Sequence, residues 1–197
     1  IDLIEDKQVL VTLTEQNYIK RVPLDVYRQQ KRGGRGVTGM ATKEEDVVDK
    51  VFMASTHDYL LCFTNKGRAY WLRVYDIPEG SRTAKGKAIV NLLNLTDEDV
   101  SAVIPLRSFD SDKYFLYATK SGRIGKFSQD LFSRPRAGGI IGMTLLDGDE
   151  LVDVVMTDGK SDVVLTTAYG QSLRFSEEEV RATGRGSQGV IGIKMKY

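Results

Sequence analysis

Thr64-Asn65-Lys66-Gly67 stands between two apolar runs, residues 59–63 and 68–74, and this turn decides the fold. A glycine in last place admits the positive φ that a tight strand-to-strand turn needs. The same Thr-x-x-Gly turn recurs as Thr119-Lys120-Ser121-Gly122 and Thr167-Ala168-Tyr169-Gly170. A fourth copy, Thr14-Glu15-Gln16-Asn17, ends in Asn, the residue that best tolerates φ > 0 after Gly. The last residues of the four turns are 17, 67, 122 and 170, in steps of 50, 55 and 48.

A second landmark keeps the same beat. A glycine opens an apolar run in Gly36-Val37-Thr38-Gly39-Met40, Gly86-Lys87-Ala88-Ile89, Gly139-Ile140-Ile141-Gly142-Met143 and Gly189-Val190-Ile191-Gly192-Ile193. These glycines lie 50, 53 and 50 apart. Two landmarks with one period and one order define an internal repeat. Each repeat reads as four short strands rich in β-branched and aromatic residues. In the second they are residues 59–64, 68–74, 87–93 and 100–106; in the third, 114–119, 123–128, 139–145 and 151–157. One helical turn fits, at 176–180. The expected fold is all-β: a propeller-like array of four-stranded blades, with repeats near 6–56, 57–110, 111–158 and 159–197 in one domain of residues 1–197. The fourth repeat stops before its last strand, so either the array is incomplete or residues 1–4 supply the missing partner.

Composition narrows the function classes. Of 197 residues 41% are hydrophobic, enough for a substantial core. The formal charge of +1 balances 28 basic against 27 acidic residues, so any polyanion site must come from where the charges sit. A single cysteine, Cys62, excludes an internal disulfide. No apolar run reaches about 18 residues. The acidic start and the missing initiator Met suggest a cytoplasmic protein and a piece of a longer chain.

The charges are sorted by position in the repeat. The loop between the second and third strands is basic: Arg28 with Lys31, Arg32 and Arg35 in the first repeat, Arg82, Lys85 and Lys87 in the second, Arg134 and Arg136 in the third, Arg181 and Arg185 in the fourth. The loop between the third and fourth strands is acidic: Glu44, Glu45, Asp46; Asp97, Glu98, Asp99; Asp147, Asp149, Glu150. One such loop is ordinarily a solvated surface. Basic loops in register in four repeats make a track for a phosphate backbone. Lys66 and Arg68, in a turn, are weaker candidates.

The most pointed stretch is Gln30-Lys31-Arg32-Gly33-Gly34-Arg35-Gly36. Its glycines permit close backbone approach and can aim amides at phosphate oxygens. Lys31, Arg32 and Arg35 add charge, and arginine grips phosphate through two N–H groups. Nothing here offers a recognition helix, so sequence-tolerant binding to duplex backbone is expected.

This stretch closely resembles the gyrase A box, Gln-Arg-Arg-Gly-Gly-Lys-Gly, with Lys31 and Arg35 departing in spelling but not in charge. With Thr56-His57-Asp58-Tyr59-Leu60-Leu61-Cys62-Phe63, Ile89-Val90-Asn91-Leu92-Leu93 and Leu146-Asp147-Gly148-Asp149-Glu150-Leu151, the chain resembles the C-terminal DNA-wrapping domain of the gyrase and topoisomerase IV A subunits over essentially its whole length. The resemblance implies a β-pinwheel whose blades exchange strands, about four blades of a disc that usually has six. It implies wrapping of duplex DNA on a basic rim, which lets the whole ATP-driven enzyme introduce negative supercoils. It implies a domain without catalytic residues or cofactor of its own, the ATP and Mg belonging to the parent complex. The partners are then duplex DNA, the parent's breakage-reunion domain and the gyrase B subunit in a tetramer of two A and two B subunits, at the bacterial nucleoid.

Two alternatives stay open: a topoisomerase IV A-subunit domain, whose typical members lack the box, and a protein-interaction propeller. An enzyme in its own right has little support. His57 is the single histidine, and Cys62 reads as a buried small hydrophobe, so no usual zinc site forms. Asp147-Gly148-Asp149-Glu150 lacks EF-hand spacing and reads as a solvated turn. Gly184-Arg185-Gly186-Ser187-Gln188-Gly189 spells G-x-G-x-x-G but precedes a strand, not a helix. Trp71 reads as core between blades.

Overall fold

The computed structural model describes residues 3–24 and 47–195. The strands are β1 (Gln8–Thr14), β2 (Tyr18–Pro23), β3 (Val48–Ser55), β4 (Tyr59–Thr64), β5 (Arg68–Arg73), β6 (Lys87–Ala88), β7 (Val100–Leu106), β8 (Tyr114–Thr119), β9 (Arg123–Ser128), β10 (Ile140–Ile141), β11 (Leu151–Thr157), β12 (Asp162–Thr166), β13 (Ser172–Ser176) and β14 (Val190–Ile191). Among the described residues helix occurs only as single 3-10 turns, and no helix is long and apolar enough to cross a membrane. The expected strands β4, β7, β8, β9 and β11 fall on the residues read from sequence, and β5 ends one residue short. The turn expected at 176–180 is a 3-10 turn, Glu177–Glu179, capped by Ser176.

The third strands of the second, third and fourth repeats differ most from expectation. Each has two residues, against the seven read for the second and third, and each joins the sheet of the preceding repeat. The sheet orders are β3-β1-β2-β6, β10-β5-β4-β7 and β11-β8-β9-β14, with β12-β13 as a two-stranded pair. Thus β6 of the second repeat pairs with β2 of the first, through Tyr18↔Ala88 and Ile19↔Lys87. In the same way Ile140 lies opposite Ala69, and Val190 opposite Ile124. The strands are exchanged between neighbouring repeats. The third strand of the second repeat ends early because the chain turns at Ile89–Asn91 into a 3-10 turn, burying Ile89. Leu3 and Ile4 are turn and bend, so they add no strand.

Both sequence landmarks are devices of this exchange. Gly86 has φ +89°, and a Cβ there would lie 2.6 Å from the carbonyl oxygen of Ile19, on the strand that β6 must reach. Gly67 has φ +81°, and a Cβ there would lie 2.6 Å from the carbonyl oxygen of Met143, where the exchanged strand of the third repeat leaves. Asn17 stands at the same turn position with φ 62°, as its place in the Thr-x-x-Gly series requires.

The chain divides into two compact units. The first comprises Ile1–Leu60, Leu72–Leu95 and Pro105–Arg107; the second comprises Leu61–Trp71, Thr96–Ile104 and Ser108–Tyr197. In the first, Val9, Val11, Leu13 and Ile19 bury one face of the β1–β2 hairpin, and Thr12, Lys20 and Val22 are buried on the other. Arg107 holds the start of this unit: its guanidinium donates to both carboxylate oxygens of Asp6 at 3.0 Å and to Asp58 at 3.2 Å. Those bonds, with one from Ser55, lower the Asp6 carboxyl to about 2. In the second unit, Phe132 meets Phe63, Phe115 and Phe127 with ring centroids 5.5 Å apart in each pair. Such contacts add about 0.5–1.5 kcal/mol each beyond burial.

Gly67→Ala will therefore destabilise the chain by about 1–3 kcal/mol in urea unfolding. Lys66→Ala, which removes only an exposed ion pair to Asp97, will change it by under about 1 kcal/mol.

Candidate nucleic-acid interface

Among the described residues, the basic loop of the second repeat covers a sheet edge. In the second repeat the chain leaves β5, turns at Val74–Asp76 and runs along the outer side of β2. The Arg21 amide donates to the Pro78 carbonyl at 3.2 Å, and the Gly80 amide donates to the Arg21 carbonyl at 3.0 Å. Ladder pairing resumes at Lys87. An open strand edge is thereby covered by a segment carrying Arg82, Lys85 and Lys87. Arg82 and Lys85 are half-buried and Lys87 is exposed. The Lys85 ammonium stands 3.7 Å over the Tyr18 ring. Beneath the segment, the Lys20 ammonium donates to the carbonyls of Ser81 at 3.0 Å, Arg82 at 2.6 Å and Ala84 at 2.9 Å. Three carbonyls that would repel an anion are thus held by a buried cation.

In the fourth repeat the chain likewise runs along β9, and in the third it leads from a 3-10 turn at Gln129–Phe132 to β10 on the edge of β5. Arg134, Arg136, Arg181 and Arg185 are all exposed. The Gly139 amide donates to the Arg136 carbonyl at 2.9 Å, closing the loop just before β10. The Thr183 amide donates to the Lys126 carbonyl at 2.9 Å, and the Arg185 guanidinium donates to the Ile141 carbonyl at 3.1 Å. The box residues Gln30, Lys31, Arg32, Gly33, Gly34, Arg35 and Gly36 lie outside the described residues, as do Arg28, Glu44, Glu45 and Asp46.

The weaker candidates have other work. The Arg68 guanidinium donates to the Gly138 carbonyl at 2.7 Å, and Arg123, at the same place in the next repeat, donates to the carbonyls of Gln188 and Gly189 at 2.8 and 2.7 Å. Both hold the incoming exchanged strand. Lys66 pairs with Asp97 at 3.3 Å.

The acidic loops clamp the Thr-x-x-Gly turn of their own repeat. The Asn65 amide donates to the Asp99 carbonyl, and the Lys120 amide to the Glu150 carbonyl. Glu98 is buried and accepts from Thr64 Oγ1 at 2.5 Å and Tyr70 OH at 2.8 Å; burial and this carboxylate push the Tyr70 phenol up. Asp149 accepts from the Ser121 amide at 2.8 Å and hydroxyl at 2.6 Å. Burial works to raise the Asp149 carboxyl, and hydrogen bonds from Ser121 and Thr119 outweigh it, so the group stays below the usual carboxylate range. Asp149 is thus a bonded part of the turn, and the expectation of a merely solvated loop is corrected there.

One recurrent feature was missed in the sequence. Four residues past the first three turns stands a long side chain with an N–H group, Arg21, Trp71 and Lys126; past the fourth, Arg174 pairs with Asp162 instead. Arg21 Nε donates to the Ile77 carbonyl at 2.7 Å, Trp71 Nε1 to Phe132 at 2.9 Å, and Lys126 Nζ to Glu177 at 2.8 Å. Each acceptor belongs to the 3-10 turn, or its cap, from which the next repeat's basic loop departs. The constant spacing from the turn was the available signal. Trp71 is thereby a tie between repeats, as its place in an apolar run suggested.

No catalytic arrangement emerges from the remaining candidates. The ring of His57 bonds the Ile4 carbonyl at 2.6 Å. Burial pushes the Cys62 thiol up to about 12. Among the described residues no three His, Cys, Asp or Glu side chains converge as a metal site. The G-x-G-x-x-G stretch leads into β14, a strand.

Strand-exchanged four-stranded sheets in series place the chain in the β-propeller class of folds. The family described as DNA gyrase C-terminal domain, beta-propeller, matches residues 8–55, 58–107, 113–158 and 161–196, and the chain belongs to it. It is 47% identical over 195 residues to the DNA gyrase A protein of Salmonella typhimurium, covering 98% of this chain and 22% of that protein. It is 46% identical over 192 residues to the DNA gyrase A protein of Clostridium acetobutylicum, covering 97% and 23%. The chain thus spans under a quarter of the length of these relatives. Among solved structures it resembles the C-terminal domain of DNA topoisomerase IV (TM-score 0.80, 31% identity, 98% of this chain, 59% of that one) and the DNA gyrase A C-terminal domain (TM-score 0.76, 29% identity, 96% and 61%).

Lys126→Met will destabilise the chain by about 3–5 kcal/mol in urea unfolding, because it leaves the fully buried Glu177 carboxylate without its cation. Trp71→Phe, which removes one hydrogen bond, will cost about 0.5–1.5 kcal/mol.

Proposed function

We propose that the chain binds duplex DNA along its basic sheet edges, without reading sequence, and wraps it as the C-terminal domain of a gyrase A protein. The observation that supports this most is the edge segment 81–87, where inward-held carbonyls leave a surface of cationic side chains. Such a surface suits phosphate and displaces counterions when it binds. Family membership supports DNA as the ligand, and the box stretch supports gyrase. The box, with Gln30, Lys31, Arg32, Gly33, Gly34, Arg35 and Gly36, supplies the first contact region. Arg82, Lys85 and Lys87, then Arg134, Arg136, Arg181 and Arg185, continue it. The parent protein then supplies the breakage-reunion domain, joins the gyrase B protein, and draws on ATP and Mg held outside this domain. Wrapping turns binding into negative supercoiling by the whole enzyme.

A topoisomerase IV domain is the second reading, favoured by the TM-score of 0.80 to that enzyme's C-terminal domain. The parent enzymes separate the two. A gyrase supercoils relaxed plasmid with ATP, whereas a topoisomerase IV only relaxes and decatenates.

Binding of long and short duplexes across a salt series tests the proposal. Affinity will favour the longer duplex and fall steeply with salt. Replacing Lys31, Arg32 and Arg35 together by Ala will weaken binding and reduce the salt slope by up to about 3, without change in thermal unfolding. Binding that ignores salt and these three residues would support a protein-interaction propeller instead.

A further inference from the structure

Lys20 lies within β2, in Tyr18-Ile19-Lys20-Arg21-Val22, and is wholly buried. Lysine is almost never fully buried without a partner, and it has three donors and no acceptor. All three donors are met, each by a backbone carbonyl of the segment that covers the strand: Ser81, Arg82 and Ala84. The segment closes on the lysine stem at both ends. A Cβ on Gly80 would lie 3.5 Å from Lys20 Cδ, and one on Gly86 would lie 3.2 Å from Lys20 Cβ. Residues 80–87 also carry Arg82, Lys85 and Lys87. The same position in the other repeats holds Tyr70, Gly125 and Leu173, so the exchanged-strand fold does not require a lysine there.

A buried ammonium facing neutral carbonyls is a weak source of stability, because its lost hydration is not repaid by an opposite charge. Burial lowers its pKa, in keeping with that cost. What three directed hydrogen bonds do supply is one backbone conformation. We propose that Lys20 is a positioning residue for DNA binding: without touching DNA, it fixes the backbone at 81–84 so that Arg82, Lys85 and Lys87 face phosphate together. This rests on the DNA-binding reading above.

A double-mutant cycle tests it on the 197-residue chain. One arm is Lys20→Met, which keeps the stem and removes the donors. The other is Arg82→Ala, Lys85→Ala and Lys87→Ala together. Amide exchange of Ala84, whose N–H donates to Ser81, reports the loop itself. Lys20→Met is expected to speed Ala84 exchange and weaken duplex binding by about threefold or more in the parent chain, and to have no further effect on binding in the triple-alanine chain. An equal loss in both backgrounds, or faster Ala84 exchange with unchanged binding, overturns the proposal. If the triple-alanine chain binds as tightly as the parent, the loop is no DNA contact, and the reading beneath the proposal fails instead. Lys20→Gln, with a shorter stem and two donors, serves the same cycle should Lys20→Met not fold.

Discussion

The pairing of the third strand of the second, third and fourth repeats with the second strand of the repeat before it is the constraint on which the rest depends. Because β6, β10 and β14 leave their own repeats, the loop that leads to each must run along a neighbour's sheet edge. That course covers an edge that would otherwise invite pairing with another chain. It also puts the loop's side chains on the outside of the ladder, and in this chain those side chains are basic.

Each crossing is held by the same small set of contacts. A glycine lets two backbones meet, as at Gly86 and Ile19. An N–H side chain four residues past the turn engages the 3-10 turn of the next repeat or its cap, as Trp71 does at Phe132. Arg68 and Arg123 hold the carbonyls of the arriving strand. The acidic loops close the other side by clamping the turn, through Glu98 in one repeat and Asp149 in the next. Charge segregation in the sequence thus has two different structural meanings. Glu98 and Asp149 are consumed in the fold, while Arg134, Arg136 and Arg181 remain exposed at the surface.

Much of this was legible in the residues. Strands β4, β8 and β11 fall at the bounds read from sequence, since each has a local pattern and a turn signal at its ends. The exchange was not legible, because a partner about 70 residues away leaves no local mark. Its trace was the periodic glycine, whose reason appears only when Ile19 is seen beside Gly86. The third strand of the second repeat is shorter than its apolar run because the chain breaks into a 3-10 turn at Ile89–Asn91, which buries Ile89. Lys20 passes in the sequence as an ordinary strand residue; only its three carbonyl partners show that it organises a loop. The place of Arg82, Lys85 and Lys87 in the stretch that leads into β6 was legible from charge and repeat position alone.

The most direct test is amide hydrogen exchange with and without a saturating long duplex. The account predicts slower exchange in the segments 81–87, 134–138 and 181–187, and no change in the acidic turns at 97–99 and 147–150. Slowing confined to the acidic turns, or none at all in the basic segments while DNA is bound, would contradict it.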